Sequence, residues 1–99
     1  MSYKINRRPT HPGAILREDT LPAIGLTKTE FAKTLGISPR TLSALLKERS
    51  RLTVDLAHRI SLALGMSPEI WLRMQQTVDL YDLQIENEAV YAQIEQIAA

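Results

Sequence analysis

Apolar residues recur at steps of three and four along most of this chain, and no useful length alternates apolar with polar. The pattern therefore predicts helices and no strands. Pro12 suits the first turn of a helix, where its missing N–H has no partner to lose, and Ile15 and Leu16 give that helix a buried side until Leu21-Pro22 ends it. Thr27 and Glu30 match a capping box opening a second helix to Leu35, which Gly36 stops in a left-handed conformation. Ser38-Pro39 starts a third. Thr53 caps a fourth with Asp55 in its first turn and Gly65 after its last, and Ser67-Pro68-Glu69 opens a long fifth helix.

The second and third helices flank a corner of about three residues containing a glycine, the layout of a helix-turn-helix, whose second helix can enter the major groove of DNA. Leu42, Leu45 and Leu46 face one side of the third helix, with Phe31, Leu35 and Ile37 as expected neighbours, and Arg40, Thr41, Ser43 and Lys47 face the other. An arginine fork fits guanine O6 and N7, hydroxyls pair with several bases, and small Ser43 and Ala44 allow close approach to thymine methyls. Thr27 and Lys28 at the start of helix two, and Arg49 and Arg51 after helix three, form the expected phosphate-contact set, fixing register without reading sequence. Glycine-cornered helix pairs also occur in proteins that never touch DNA, so the spacing alone leaves both readings open.

At 99 residues the chain is about one domain. A domain of this size buries roughly two-thirds of its unfolded surface, enough for a modest core but not for a deep cleft beside a second lobe. It has no cysteine, which excludes disulfides and thiolate zinc sites, and no apolar run near the roughly 20 residues of a membrane span. The start, MSYKINRRPTHPG, has basic residues with no apolar segment after them, so a secretory signal is not expected and the cytoplasm is the expected location. The net charge of +1 hides an asymmetry: all 12 Lys and Arg precede Met74, whereas Asp79, Asp82, Glu86, Glu88 and Glu95 follow it with no base. A basic front and acidic tail fit partners of opposite sign, or simply a solvated acidic helix.

Two apolar stripes run along the last part of the chain. Trp71, Met74, Val78, Tyr81 and Ile85 form one, which closes the domain with Trp71 as a core anchor. Leu80, Leu83, Asn87, Val90, Ile94 and Ile97 form the other. A single domain needs one stripe, so Leu83, Asn87, Val90, Ile94 and Ile97 are the expected dimer interface, with Asn87 setting register, unless the tail folds back or frays.

Catalysis finds no support. His11 and His58 lack the spaced His, Cys or carboxylate partners of a metal site or a nucleophile triad, and Glu18-Asp19 point in different directions around a helix. No glycine-rich phosphate loop occurs, so neither an enzyme nor a cofactor is expected.

His11 to Leu80 resembles the helix-turn-helix proteins of the lambda-repressor-like class, specifically the HigA or VapI family of antitoxins. The marks are HPG.ILRE at the front, GLTKTEFAKTLGIS through the turn, LT.DLA.RI..ALG in helix four and S.E.WL..Q..VDL in helix five. The resemblance implies an all-α, five-helix DNA-binding domain at 11–80, after a leader at 1–10; the acidic helical tail at 81–99 lies beyond the resemblance, and its stripe and charge make it the expected site of dimerisation or toxin contact. The resemblance also implies a homodimer that binds palindromic operator DNA, represses its own operon and neutralises a HigB-like toxin, a RelE-type mRNA endonuclease. Base-reading positions then fall on Ser38, Pro39, Arg40, Thr41, Ser43, Ala44 and Lys47, and a phosphate-facing one on Lys28. Two departures stand out: Ala14 where relatives usually have glutamate, and Lys47-Glu48-Arg49 where they usually have Asn-Gly-Lys. The alternatives are a regulator of the same fold with no toxin, and an inhibitor of a basic enzyme that no longer binds DNA.

Overall fold

The structure is a computed structural model that describes residues 7–98; residues 1–6 of the predicted leader lie outside that range. Among the described residues there are six helices and no strand, so the all-α expectation holds. The first, α1 (residues 12–24), runs as an α-helix over Pro12–Ile15, widens to a π turn over Leu16–Thr20 and resumes over Leu21–Ile24. Then follow α2 (Lys28–Leu35), α3 (Pro39–Leu46), α4 (Val54–Leu64), α5 (Pro68–Glu86) and the single turn α6 (Glu88–Tyr91).

The predicted stop at Leu21-Pro22 is corrected: α1 passes it and ends only at Gly25, which is left-handed at φ 70°. Inside a regular α-helix the Pro22 ring would meet the carbonyl four residues back. Here the Leu21 N–H bonds to Leu16 O, five residues back, and this wider turn puts Pro22 in the first turn of a fresh α segment.

The other local signals work as read. Thr27 Oγ1 accepts from Glu30 N at 3.1 Å while Glu30 Oε1 accepts from Thr27 N at 2.9 Å, completing the capping box. Ser38 Oγ accepts from Thr41 N at 3.1 Å, and Thr53 Oγ1 from Leu56 N at 3.2 Å. Gly36 and Gly65 close α2 and α4 in the left-handed region, which costs glycine little. Ser67 opens α5 without a side-chain bond to its backbone.

The core gathers one face of each larger helix: Leu16 and Leu21 from α1, Phe31 and Leu35 from α2, Leu42, Leu45 and Leu46 from α3, Leu56 and Ile60 from α4, and Trp71 from α5. Each large apolar side chain removed from water contributes about 1.5 to 3 kcal/mol before conformational entropy is subtracted. The first apolar stripe behaves as expected through Tyr81: Trp71 and Val78 are buried, Met74 and Tyr81 half-buried, and Ile85 exposed.

The tail departs from a continuous helix. Asn87 leaves helical geometry at φ −114°, and after α6 the chain shows only short-range bonds, from Gln93 N to Val90 O and from Ile94 N to Tyr91 O. Leu83, Val90, Ile94 and Ile97 are 45, 59, 70 and 89% exposed. Asparagine favours local bonds over helix interiors, and a short amphipathic run with no surface to pack on gains too little to stay helical.

Candidate nucleic-acid interface

α2 and α3 meet at a corner held at several points. Gly36 (φ 71°) turns the chain so that its N–H bonds to Lys33 O at 3.1 Å and that of Ile37 to Ala32 O at 3.0 Å, a Schellman closure. From α4, Arg59 Nη1 donates to Leu35 O at 2.9 Å and Gly36 O at 3.3 Å, while its Nε pairs with Asp55 at 2.8 Å. With Leu42, Leu45 and Leu46 buried, the opposite side of α3 faces outward.

That outward side carries the predicted base-reading residues. Ser38, Pro39, Arg40, Thr41 and Lys47 are exposed, and Ser43 and Ala44 are half-buried beneath them. Ser38 Oγ and Thr41 Oγ1 share a hydrogen bond of 2.8 Å in addition to the cap, so these two hydroxyls are partly occupied within the first turn. Among the described residues no carboxylate pairs with Arg40, Lys47, Lys28 or Arg49.

Of the predicted phosphate-contact set, Lys28 and Arg49 are exposed, and Thr27 is exposed with its hydroxyl engaged in the capping box. Arg51 is held differently. Its Nε lies 3.2 and 3.1 Å from the two oxygens of Asp79 on α5, and its Nη2 also donates to Asp79. The Arg51 guanidinium, ahead of a weaker bond from Gln75, holds the Asp79 carboxyl below its ordinary range. Buried Gln75 donates to Asp79 at 2.9 Å and accepts from Leu52 N at 2.8 Å, so it fastens the loop after α3 onto α5.

Several functional contacts carry no local sequence signal. Gly13 lies against α3 so closely that a Cβ there would sit 1.9 Å from Leu45 O. His11, which the sequence marks only as lacking metal or triad partners, is buried and caps α1, its Nδ1 accepting from Gly13 N at 2.9 Å. Burial, ahead of repulsion by Arg8, lowers the His11 pKa, while Glu48, the Ser50 backbone and Asp79 oppose that shift. His58 is exposed on α4.

The end of α3 repeats the closure of α2 with a different residue. Glu48 N bonds to Leu45 O at 3.0 Å and Arg49 N to Ala44 O at 2.9 Å, with Glu48 in the left-handed region at φ 60°. A residue with a Cβ pays about 1 to 2 kcal/mol for that conformation. Arg17 Nη1 donates to Leu46 O at 2.7 Å and Glu48 Oε2 at 3.2 Å. Arg8 reaches Glu48 at 3.5 Å and Asp82 on α5 at 3.0 and 3.2 Å.

Among the described residues no group of three or more His, Cys, Asp and Glu could hold a metal ion, and no helix is long and apolar enough to cross a membrane. A family model described as helix-turn-helix matches residues 16–71. The chain is 37% identical over 79 residues to antitoxin HigA-1 of Vibrio cholerae, covering 80% of this chain and 74% of that protein. It is 32% identical over 80 residues to an HTH-type transcriptional regulator of Haemophilus influenzae, covering 81 and 75%. Antitoxin GraA in complex with its operator superposes with a TM-score of 0.88 at 31% identity, over 99% of this chain and 100% of that one. Pseudomonas aeruginosa antitoxin HigA with the higBA promoter gives 0.86 at 26% identity, over 92 and 100%.

Proposed function

The chain belongs to the helix-turn-helix family, in its HigA antitoxin branch, and from that premise we propose that it is an antitoxin repressor that binds operator DNA through α3. The observation that carries this reading is the face of α3 itself: Arg40 and Lys47 stand exposed, with no carboxylate partner among the described residues, on a helix anchored from behind by three buried leucines. Arg40 is the main base reader, directed at a guanine edge, and Ser43 and Ala44 let the helix approach thymine methyls. Ser38, Pro39 and Thr41 present the first turn, and Lys47 the last. Lys28 and Arg49, with Thr27 at the N-terminus of α2, meet phosphates. Arg51 contributes less, because a phosphate must compete with Asp79 for it.

The active species is a homodimer. Leu83, Val90, Ile94 and Ile97 expose apolar surface beside Asn87 that a second copy would cover, and two α3 helices one DNA turn apart match a palindromic site. A HigB-like toxin of the RelE type is the protein partner, attracted by the acidic side of α5 and α6. Glu86 and Glu88 dominate that attraction, because Arg51 and Arg8 already pair with Asp79 and Asp82. The role is binding without catalysis, in the cytoplasm.

Titration of duplex DNA at several salt concentrations tests the reading. Arg40→Ala should cost about 1 to 3 kcal/mol on the preferred duplex and relax preference at one base pair. Lys28→Ala should weaken all duplexes alike and reduce the salt slope by about one unit. Equal losses for Arg40→Ala on preferred and random DNA would remove it from the base-reading set, and no salt-dependent binding by the wild type would refute the proposal.

A further inference from the structure

Glu48 is the one residue other than glycine with positive φ among the described residues, and it sits where the recognition helix ends. Its left-handed backbone completes the Schellman closure of α3, while its carboxylate reaches Arg17 at 3.2 Å and Arg8 at 3.5 Å. The same Arg17 nitrogen holds Leu46 O, the last carbonyl of α3, at 2.7 Å. We propose that Glu48 is a positioning residue for DNA recognition: gripped by Arg17 and Arg8, it fixes the C-terminal end of α3 and so the angle at which Arg40 and Lys47 meet base edges. This inference rests on the DNA-binding reading above.

The argument is one of leverage. The N-terminal end of α3 is held by the Gly36 corner, the Ser38 cap and Arg59. Leu42, Leu45 and Leu46 seat one side of α3 on the core, and what that seat leaves free is a rocking of a few degrees about the braced N-terminal end. At about 1.5 Å per residue, the eight residues of α3 span roughly 12 Å, so a tilt of only about 3° moves the far end by roughly 0.6 Å. Base-edge hydrogen bonds tolerate a few tenths of an ångström, so such a pivot would lose them. The grip on Glu48 removes it, tying the end of α3 to α1 through Arg17 and, through Arg8 and Asp82, to α5. The carboxylate lies between Lys47 and Arg49, where an uncompensated negative charge would repel phosphates; the two arginines offset it.

The probes are a duplex that the wild-type protein enriches from a randomised pool and a scrambled duplex of the same composition. Glu48→Gly relieves the left-handed backbone and should keep or raise Tm. It also removes a negative charge near DNA, so binding to the scrambled duplex should strengthen. The ratio of enriched to scrambled affinity should nevertheless fall about tenfold, the discrimination of one base contact. In an Arg8→Met, Arg17→Met background, adding Glu48→Gly should change that ratio by less than about twofold, because both arginines of the grip are already gone. The inference is overturned if Glu48→Gly leaves the ratio within about twofold of wild type, or lowers it equally in both backgrounds. A wild-type protein that enriches no duplex overturns the DNA-binding reading and this inference with it.

Discussion

Replacing Gly13 with alanine should destabilise this protein, against the usual effect of such a change in a helix. Glycine inside a helix is worth about 1 kcal/mol less than alanine, so Gly→Ala at a compatible site commonly stabilises. At Gly13, however, the added Cβ would lie 1.9 Å from Leu45 O and 3.0 Å from Leu45 C, and real Cβ atoms essentially never come within 3.0 Å of another atom. The obstacle is the backbone of α3, which cannot rotate aside as a side chain would, so α1 and α3 must part by about an ångström over packed leucines. Overpacking costs typically 1 to 3 kcal/mol, and the upper end applies to a backbone obstacle. Subtracting up to about 1 kcal/mol for the lost glycine leaves a net cost of about 2 kcal/mol. For a domain of this size that lowers Tm by roughly 8 to 16 °C.

Thermal unfolding followed by circular dichroism measures the loss. The displaced carbonyl also accepts the Glu48 N–H at 3.0 Å, so the closure of the recognition helix should suffer with the core. DNA affinity at 20 °C should therefore fall even where the variant is fully folded. Gly25→Ala is the control: its Cβ would meet nothing within 4 Å, and only its φ of 70° opposes a side chain, at about 1 to 2 kcal/mol. A Gly13→Ala protein as stable as wild type would refute the close approach of α1 to α3.

Two further outcomes follow from the geometry. His11 has an ordinary pKa of 6.5 and is lowered in the fold, chiefly by burial, so its contribution to stability is complete above about pH 6.5 and is lost as pH falls through the folded value. Tm should thus begin to fall below about pH 6.5, and His11→Asn, which keeps an acceptor for Gly13 N, should flatten that part of the profile; Asp79, held down by Arg51, acts only at lower pH. A chain shortened to end at Asn87 loses Val90, Ile94 and Ile97, which are exposed within the protomer, and should keep its Tm yet sediment as a monomer at micromolar concentration. If it stays dimeric, the second copy docks elsewhere.

What the sequence made legible was whatever is decided within a few residues. The Thr27–Glu30 box, the Ser38 and Thr53 caps and the glycines after α2 and α4 each satisfy backbone groups locally, so the helices could be read directly. The leucine row of α3 marked its buried side because periodicity of three and four residues is a local property as well. Local rules failed where a neighbour outvoted them. Pro22 did not end α1, since a π turn shifted it into a tolerated position. Beyond Asn87 the apolar period made only the single turn α6, since Val90, Ile94 and Ile97 stay exposed in the protomer.

Charge was the least legible feature, because ion pairs ignore distance along the chain. Read linearly, the protein is a basic front and an acidic tail. Folded, Arg8 and Asp82 meet across 74 positions, Arg51 and Asp79 across 28, and Arg17 and Glu48 across 31. These exposed or half-exposed pairs are individually worth little in stability, commonly under about 1 kcal/mol. Their larger effect is to sort the cations. Arg8, Arg17, Arg51 and Arg59 are engaged by carboxylates or helix carbonyls, while among the described residues Arg40, Lys47, Lys28 and Arg49 have no such partner. A surface that merely attracted polyanions would gain from leaving every cation free. On the proposed reading, engaging four arginines to brace the corner and the end of α3 gives up general affinity for phosphate in return for a recognition helix held at both ends, the condition under which a few base contacts can discriminate.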